Sequence, residues 1–319
     1  MTSTLVVRPT ARPVVGVAMI LVAGSVWALN GTVSKLLLQG GFDAPQLTTF
    51  RAAGAFLGLL LISLAVKPGP RRLGLRPAEV PRLIGFGLTG FFLVPLLYFV
   101  AISHLPVGIG LLIEFTAPLF VALWVRFGEH QQVKPRLWVG LACCLGGLAC
   151  VAQIWAGELG LDPIGLAAGL TSAILLATYY VVGSKSVADR DPLSLTCWAF
   201  GVSAIAGAIV RPWWNFPADL LGHSSGGVPM WLLASYLLVF GTIIPYLLVS
   251  TSMQHLPPTS VGIIGMVEPV LASAVAWVLI NEVLSPPQIL GGLIVLVGVI
   301  LAETARATGP RETPEIPPG

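Results

Sequence analysis

Residues Tyr98 to Val125 read YFVAISHLPVGIGLLIEFTAPLFVALWV, and residues Tyr246 to Val278 read YLLVSTSMQHLPPTSVGIIGMVEPVLASAVAWV. His104-Leu105-Pro106 matches His255-Leu256-Pro257 at an offset of 151, and Pro118 matches Pro269 at the same offset. Tyr98 and Tyr246 are 148 apart, so a short insertion separates the two matches. Further out, Ser34-Lys35 matches Ser184-Lys185 at 150, and Pro45 with Gly54 matches Pro192 with Gly201 at 147. Leu-, Val- and Gly-rich helices resemble one another by chance, but chance does not keep several punctuating residues in order. The chain reads as an internal duplication.

Of 319 residues, 55% are hydrophobic and 10% charged, against about 25% charged in a soluble domain. That is too little charge to cover a globule in water, so lipid must face most of the surface. The net charge of +3 is carried by short basic clusters between apolar runs, which excludes a nucleic-acid partner. Cys143, Cys144, Cys150 and Cys197 lie inside apolar stretches without metal-ligand spacing, so no metal, cofactor or disulfide framework is implied. Arg8 and Arg12 before an apolar run look like a secretory signal, but the run continues to Val33 and reads as an uncleaved first span.

A hydrocarbon core about 30 Å thick needs about 20 apolar residues. Ten runs of that kind emerge, at 14–36, 46–66, 82–103, 106–126, 137–155, 163–184, 192–213, 229–253, 258–280 and 287–303. With the N-terminus inside, fourteen Lys and Arg residues fall in cytoplasmic segments and only Lys35, Arg51 and Arg211 lie at outer ends. Both termini are therefore expected in the cytoplasm. The expected fold is an all-α integral membrane protein of ten transmembrane helices. Its parts are a cytoplasmic tail 1–13, five-helix repeats 14–156 and 157–304, and a cytoplasmic tail 305–319. Five spans per repeat is an odd number, so the second repeat enters from the opposite side. Such inverted-topology pairs imply alternating access to a site near the midplane.

Glu114 and Glu268 lie about 12 Å and 15 Å along their helices, near mid-membrane. An ionised acid there costs at least about 2.5 kcal/mol, so each is expected to face the interior and act as an ammonium partner or proton carrier. A structural hydrogen bond is the bland alternative. Pro118 and Pro269 lack the N–H that would bond the carbonyls four residues back, freeing those of Glu114 and Gly265. A simple kink would do the same. Trp27, Asn30, Tyr98, Tyr179, Tyr180, Trp198 and Tyr246 are the polar-tipped side chains nearby in other spans. Asn30 lies too deep for an interfacial belt, Tyr98 and Tyr246 are repeat counterparts, and Trp27 lies beside Asn30, so these four join the candidate substrate site. Arg51 and Arg211 read as peripheral, Arg51 most simply in a structural pairing. With acids deep and cations peripheral, a cationic or zwitterionic substrate is favoured over an anionic one.

The stripes Gly165, Gly169, Ala173, Ala177 and Ala142, Gly146, Cys150 suit close helix packing, within a chain or in a homo-oligomer. The four histidines lie at loops or span ends without evident partners, and Asp189-Arg190-Asp191 reads as a solvated loop. An intramembrane enzyme is the rival from another class, but no HExxH, paired Asp motif or Ser with a plausible base is present, so no catalytic residue is proposed. A phosphate-binding loop is also missing, which leaves gradients as the energy source.

These residues resemble the drug/metabolite transporter superfamily, in its EamA-like group of ten-span proteins, over about residues 14–304. The matching features are Trp27 and Asn30, Arg51, Pro118 followed by Gly128-Glu129, and Glu268-Pro269 followed by Asn281-Glu282, where the family usually has Gly-Glu. Pro106 to Ile109 leading into Glu114 to Pro118 is similar to the threonine/homoserine exporters. The resemblance implies a secondary active transporter of the cell (inner) membrane. Its partners would be the bilayer, a small-molecule substrate and a coupling ion such as the proton. Amino acids or related amphipathic metabolites are the expected cargo, with drugs, lipids or nucleotide sugars as alternatives on the same fold.

Overall fold

A computed structural model of the chain describes residues 12–66, 73–155, 162–187, 190–212, 215–280 and 285–307, the backbone alone at 275–280 and 306–307. Both outermost tails lie outside the described residues, as do Arg8, Lys67, Arg71, Arg72, Asp189, Asn281, Glu282 and Arg311. Among the described residues, eight helices are long and apolar enough to cross a membrane. They are α1 (Pro13–Gln39), α2 (Ala44–Ala65), α3 (Pro77–His104), α4 (Val107–Gly128), α6 (Pro163–Ser186), α7 (Pro192–Val210), α8 (Met230–Ser252) and α10 (Pro286–Ala307). Two further apolar helices are shorter: α5 (Pro135–Val151), and α9, which runs Pro258–Gly265 and resumes at Glu268–Ile280. Large aliphatic side chains stand on the outer faces, among them Leu61 at 67%, Ile205 at 67% and Ile209 at 79% exposed. In water these would form a costly continuous apolar surface; against acyl chains they are at home.

Proline opens many of the helices because its missing N–H falls where no partner exists. Asp43 adds a capping box to α2, its side chain accepting from Gln46 N at 2.7 Å while Gln46 reaches back to Asp43 N at 2.9 Å. Asp162 caps α6, and the N–H of Gly165, that of Ile164 and the neighbouring His104 hold its carboxyl below the usual carboxylate range. His104 Nδ1 lies 3.4 Å from Asp162 Oδ1, so this histidine does have a partner, contrary to the sequence reading. Arg190 is likewise not solvated. It pairs with Glu79 at 2.7 Å and donates to the Gly74 carbonyl, while Asp191 caps α7.

Helix α5 stops at Val151, four residues short of the expected span, because Gln153 adopts φ +47° and its amide donates to Ser285 Oγ. The expected packing stripe on α5 is also displaced. Gly146 faces open space and Ala142 is exposed, whereas Cys150 of that stripe joins Gly140, Cys144 and Gly147 in the seam against α10, its Cβ 2.6 Å from the would-be Cβ of Gly291. A Cβ at Gly140 would lie 2.7 Å from the Gly298 carbonyl, and one at Gly147 would lie 2.6 Å from the Gly291 carbonyl. The two helices therefore run antiparallel with their backbones in near contact. Between α7 and α8, a two-residue hairpin pairs Ser224 with Pro229 and Ser225 with Val228. Its tip requires positive φ at two successive positions, which Gly226 (+57°) and Gly227 (+78°) supply.

Pairs of contacts recur between the halves. Gly16 of α1 packs on His255 and Leu256, and Gly165 of α6 packs on His104 and Leu105, in both cases with the Leu Cγ 2.7 Å from the would-be Cβ. Helices α3 and α8 each contain a π-helical segment, Gly87–Leu93 and Val239–Ile243, which places Gly90 and Gly241 at the same 151-residue offset.

Candidate functional site

Helices α4 and α9 are both interrupted midway. The break falls at Phe115 and Thr116 in α4 and at Met266 and Val267 in α9, again 151 residues apart. Thr116 N bonds to Ile113 O at 3.0 Å and Val267 N to Ile264 O at 3.1 Å, so the chain tightens as it enters each break. Among the described residues no hydrogen bond reaches the carbonyls of Glu114 and Gly265. This is the outcome expected when Pro118 and Pro269 follow four residues later. The broken helices approach each other at this level, where a Cβ at Gly262 of α9 would sit 3.1 Å from Pro118 Cγ and 3.3 Å from Tyr180.

Beside the breaks lies a cavity of about 90 Å³, room for about three waters at roughly 30 Å³ each. Its walls include Trp27, Asn30, Tyr98, Glu114, Tyr246 and Glu268, six residues singled out from sequence, drawn from α1, α3, α4, α8 and α9. Pro118, Pro269 and Gly265 are not among its lining residues; they lie in the helical segments that flank the breaks. Tyr179 and Tyr180 of α6 also line the cavity, whereas Trp198 lies elsewhere, donating its Nε1 to the Leu73 carbonyl.

Arg51 is the main departure from the sequence expectation. It is not peripheral: it is 3% exposed and lines the cavity with the two glutamates. Its Nε donates to Thr242 Oγ1 at 3.1 Å, and its guanidinium lies 5.1 Å from the Tyr246 ring centroid and 5.7 Å from that of Phe99. Glu114 is within electrostatic reach of Arg51 and of Glu268, but no ion pair within 4.0 Å involves any of the three among the described residues. Arg211, by contrast, is as peripheral as expected, pairing with Asp43 at 3.1 Å on a half-exposed surface.

The π-helical glycines connect this cavity to both halves. The Gly241 carbonyl accepts from Trp27 Nε1 at 2.9 Å, and the Gly90 carbonyl accepts from the Tyr246 hydroxyl at 3.3 Å. Gly241 is pressed against Asn30 Oδ1 and Gly90 against the Tyr179 ring. Asn30 Oδ1 and the Tyr179 hydroxyl are buried without hydrogen-bond partners among the described residues. Tyr179 cannot retreat, being stacked on Phe86 at 5.1 Å and edge-on to Phe91 at 5.6 Å. Gly90→Ala and Gly241→Ala are therefore expected to deform the cavity, with substrate turnover falling more than melting temperature does. Equal turnover by the wild type and both variants would contradict the close packing of these turns. The 151-residue offset between the two glycines was readable from sequence, and each π-turn runs up to a proline, Pro95 in α3 and Pro245 in α8, whose missing N–H leaves the carbonyl four residues back without its helical donor.

Apolar helices of membrane-crossing length around a cavity with charged walls fit a multi-pass membrane transporter. The model of the EamA-like transporter family matches residues 14–153 and again residues 163–304. The chain belongs to that family. It is 30% identical over 267 residues to the threonine/homoserine exporter RhtA of Escherichia coli strain K12, covering 83% of this chain and 82% of that protein. An uncharacterised transporter of Archaeoglobus fulgidus is 28% identical over 275 residues, 86% of this chain and 92% of that one. A crystal structure of a protein 19% identical in sequence superposes with a TM-score of 0.72 over 92% of this chain and 98% of the other, showing the same fold.

Proposed function

We propose that the chain is a ten-span secondary transporter that exports amino acids or closely related metabolites across the cell membrane by alternating access. On this reading residues 14–156 and 157–304 are inverted-topology repeats, and both termini are cytoplasmic. The observation that carries it is the cavity itself: two carboxylates and a guanidinium gathered at two helix breaks that are counterparts under the internal repeat. Fixed charges deep among apolar spans are expensive, and a transported polar molecule is the common reason for holding them there.

The α5–α10 seam supports the inverted repeat. The offset of 151 maps Gly140 to Gly291 and Gly147 to Gly298, so the contacts Gly140 with Gly298 and Gly147 with Gly291 exchange with each other. A self-complementary contact between antiparallel rods implies a two-fold axis perpendicular to them, and for membrane-spanning rods that axis lies in the membrane plane. The cavity is smaller than the roughly 300 Å³ at which ligand pockets begin, so substrate binding is expected to widen it. The amino-acid reading draws on the named exporter among the relatives and on the mixed charge of the cavity.

Purified protein in liposomes is expected to give saturable flux of radiolabelled L-threonine or another amino acid, altered by an imposed pH gradient if protons are the coupling ion. Absence of flux across a broad panel of amino acids would sink the amino-acid reading and move drugs or lipids forward.

A further inference from the structure

Arg51 is the fixed positive charge in a cavity that otherwise holds two acids, and its surroundings orient it rather than neutralise it. A guanidinium carries five N–H donors in a rigid plane, a fork suited to one carboxylate. One donor is committed to Thr242, whose own hydroxyl is anchored on the Leu237 carbonyl at 2.7 Å. The guanidinium carbon lies over the rings of Tyr246 and Phe99, 5.1 and 5.7 Å from their centroids. Leaving such a charge in low dielectric without a contacting anion is costly, yet no carboxylate of the chain comes within 4.0 Å among the described residues. Glu114 feels the charges of both Arg51 and Glu268, and all three line the same cavity. In the same lining, Asn30 Oδ1 adds an acceptor without a hydrogen-bond partner among the described residues. The cavity thus gathers a planar donor fork and carboxylate and amide oxygens in its lining, a set complementary to a molecule bearing both a carboxylate and an ammonium.

We infer that Arg51 binds the carboxylate of the transported molecule, and that the substrates are free α-amino acids rather than amines, amino-acid amides or cationic drugs. The inference rests on the reading of this cavity as the transport site and narrows its substrate class. It leaves the ammonium to the oxygens of Glu114, Glu268 and Asn30.

The test is competition against radiolabelled L-threonine flux in liposomes holding the wild-type protein. The competitors are L-threonine, L-threoninamide, 1-amino-2-propanol (threonine without its carboxylate) and N-acetyl-L-threonine. Threonine is expected to compete, and the amide and the amine to be weaker by about tenfold or more, the usual scale for losing a charge-assisted hydrogen bond. Equal competition by the amide and the amine overturns the assignment while leaving the transporter intact. Should another amino acid be carried instead of threonine, the same series is run on its amide and amine; absence of flux across the whole amino-acid panel counts against the transport reading itself, and the assignment falls with it. In Arg51→Gln the preference for threonine over threoninamide should disappear, and Arg51→Lys should restore part of it. An Arg51→Gln protein that folds and keeps the wild-type preference overturns the assignment. Should neither variant fold, the wild-type competition series decides alone.

Discussion

Glu114→Gln and Glu268→Gln are each expected to lower amino-acid flux by about tenfold or more while leaving the purified protein monodisperse and its melting temperature close to wild type. The amide is isosteric with the acid, so the packing of Glu268 against Gly24, whose would-be Cβ lies 3.5 Å from Glu268 Cβ, is kept. What is lost is the negative charge that a substrate ammonium or a coupling proton would use, worth about 1.5–3 kcal/mol in a charge-assisted bond. The two acids are not repeat counterparts. The offset of 151 takes Glu114 to Gly265 and Glu268 to Ala117, so the backbone breaks are duplicated but the chemistry is not. Because the positions are inequivalent, the two variants should differ, one impairing binding and the other the response to a pH gradient. Flux assays on each variant with and without the gradient check this, and unchanged flux in both would demote the glutamates to structural residues.

The second large effect lies far from the cavity. Gly147→Leu should cost about 1–3 kcal/mol or more and greatly reduce the yield of folded protein, because the new side chain meets backbone atoms. A Cβ at Gly147 would sit 2.6 Å from the Gly291 carbonyl and 2.8 Å from Val295 N, and no rotamer change can move either. Gly146→Leu, one residue earlier, points where nothing lies within 4 Å and should be tolerated. Thermal unfolding in detergent with size-exclusion profiles compares the two. Similar melting temperatures for both variants would contradict the backbone contact between α5 and α10.

The contrast between Gly146 and Gly147 illustrates what the sequence does and does not disclose. A four-residue stripe of small side chains identifies a helix that packs closely, but its facing depends on the partner. Ala142 and Gly146 satisfied the spacing as well as the actual seam does, yet of that stripe Cys150 alone reaches α10. The helix breaks were legible because proline removes a specific donor, a local rule that needs no knowledge of neighbours. So were Glu114 and Glu268, since a charge midway along an apolar run must be accommodated somewhere inside. Arg51 was not legible. Counting along its own helix puts it near the outer end, and only Thr242, Tyr246 and Phe99, brought by two other helices, turn it inward. Likewise the break of α1 at Ala28 and Leu29 carries no proline.

The central claim is that the cavity between the halves serves both faces of the membrane in turn. Leu176 lines it from α6 and is not part of the charged set, so a single Leu176→Cys in a background with Cys143, Cys144, Cys150 and Cys197 replaced offers a direct reporter. A membrane-impermeant thiol reagent applied to one side and then to the other should label this position from both, and L-threonine should slow labelling from each. Labelling from one side alone, unaffected by any amino acid, would contradict alternating access through this cavity.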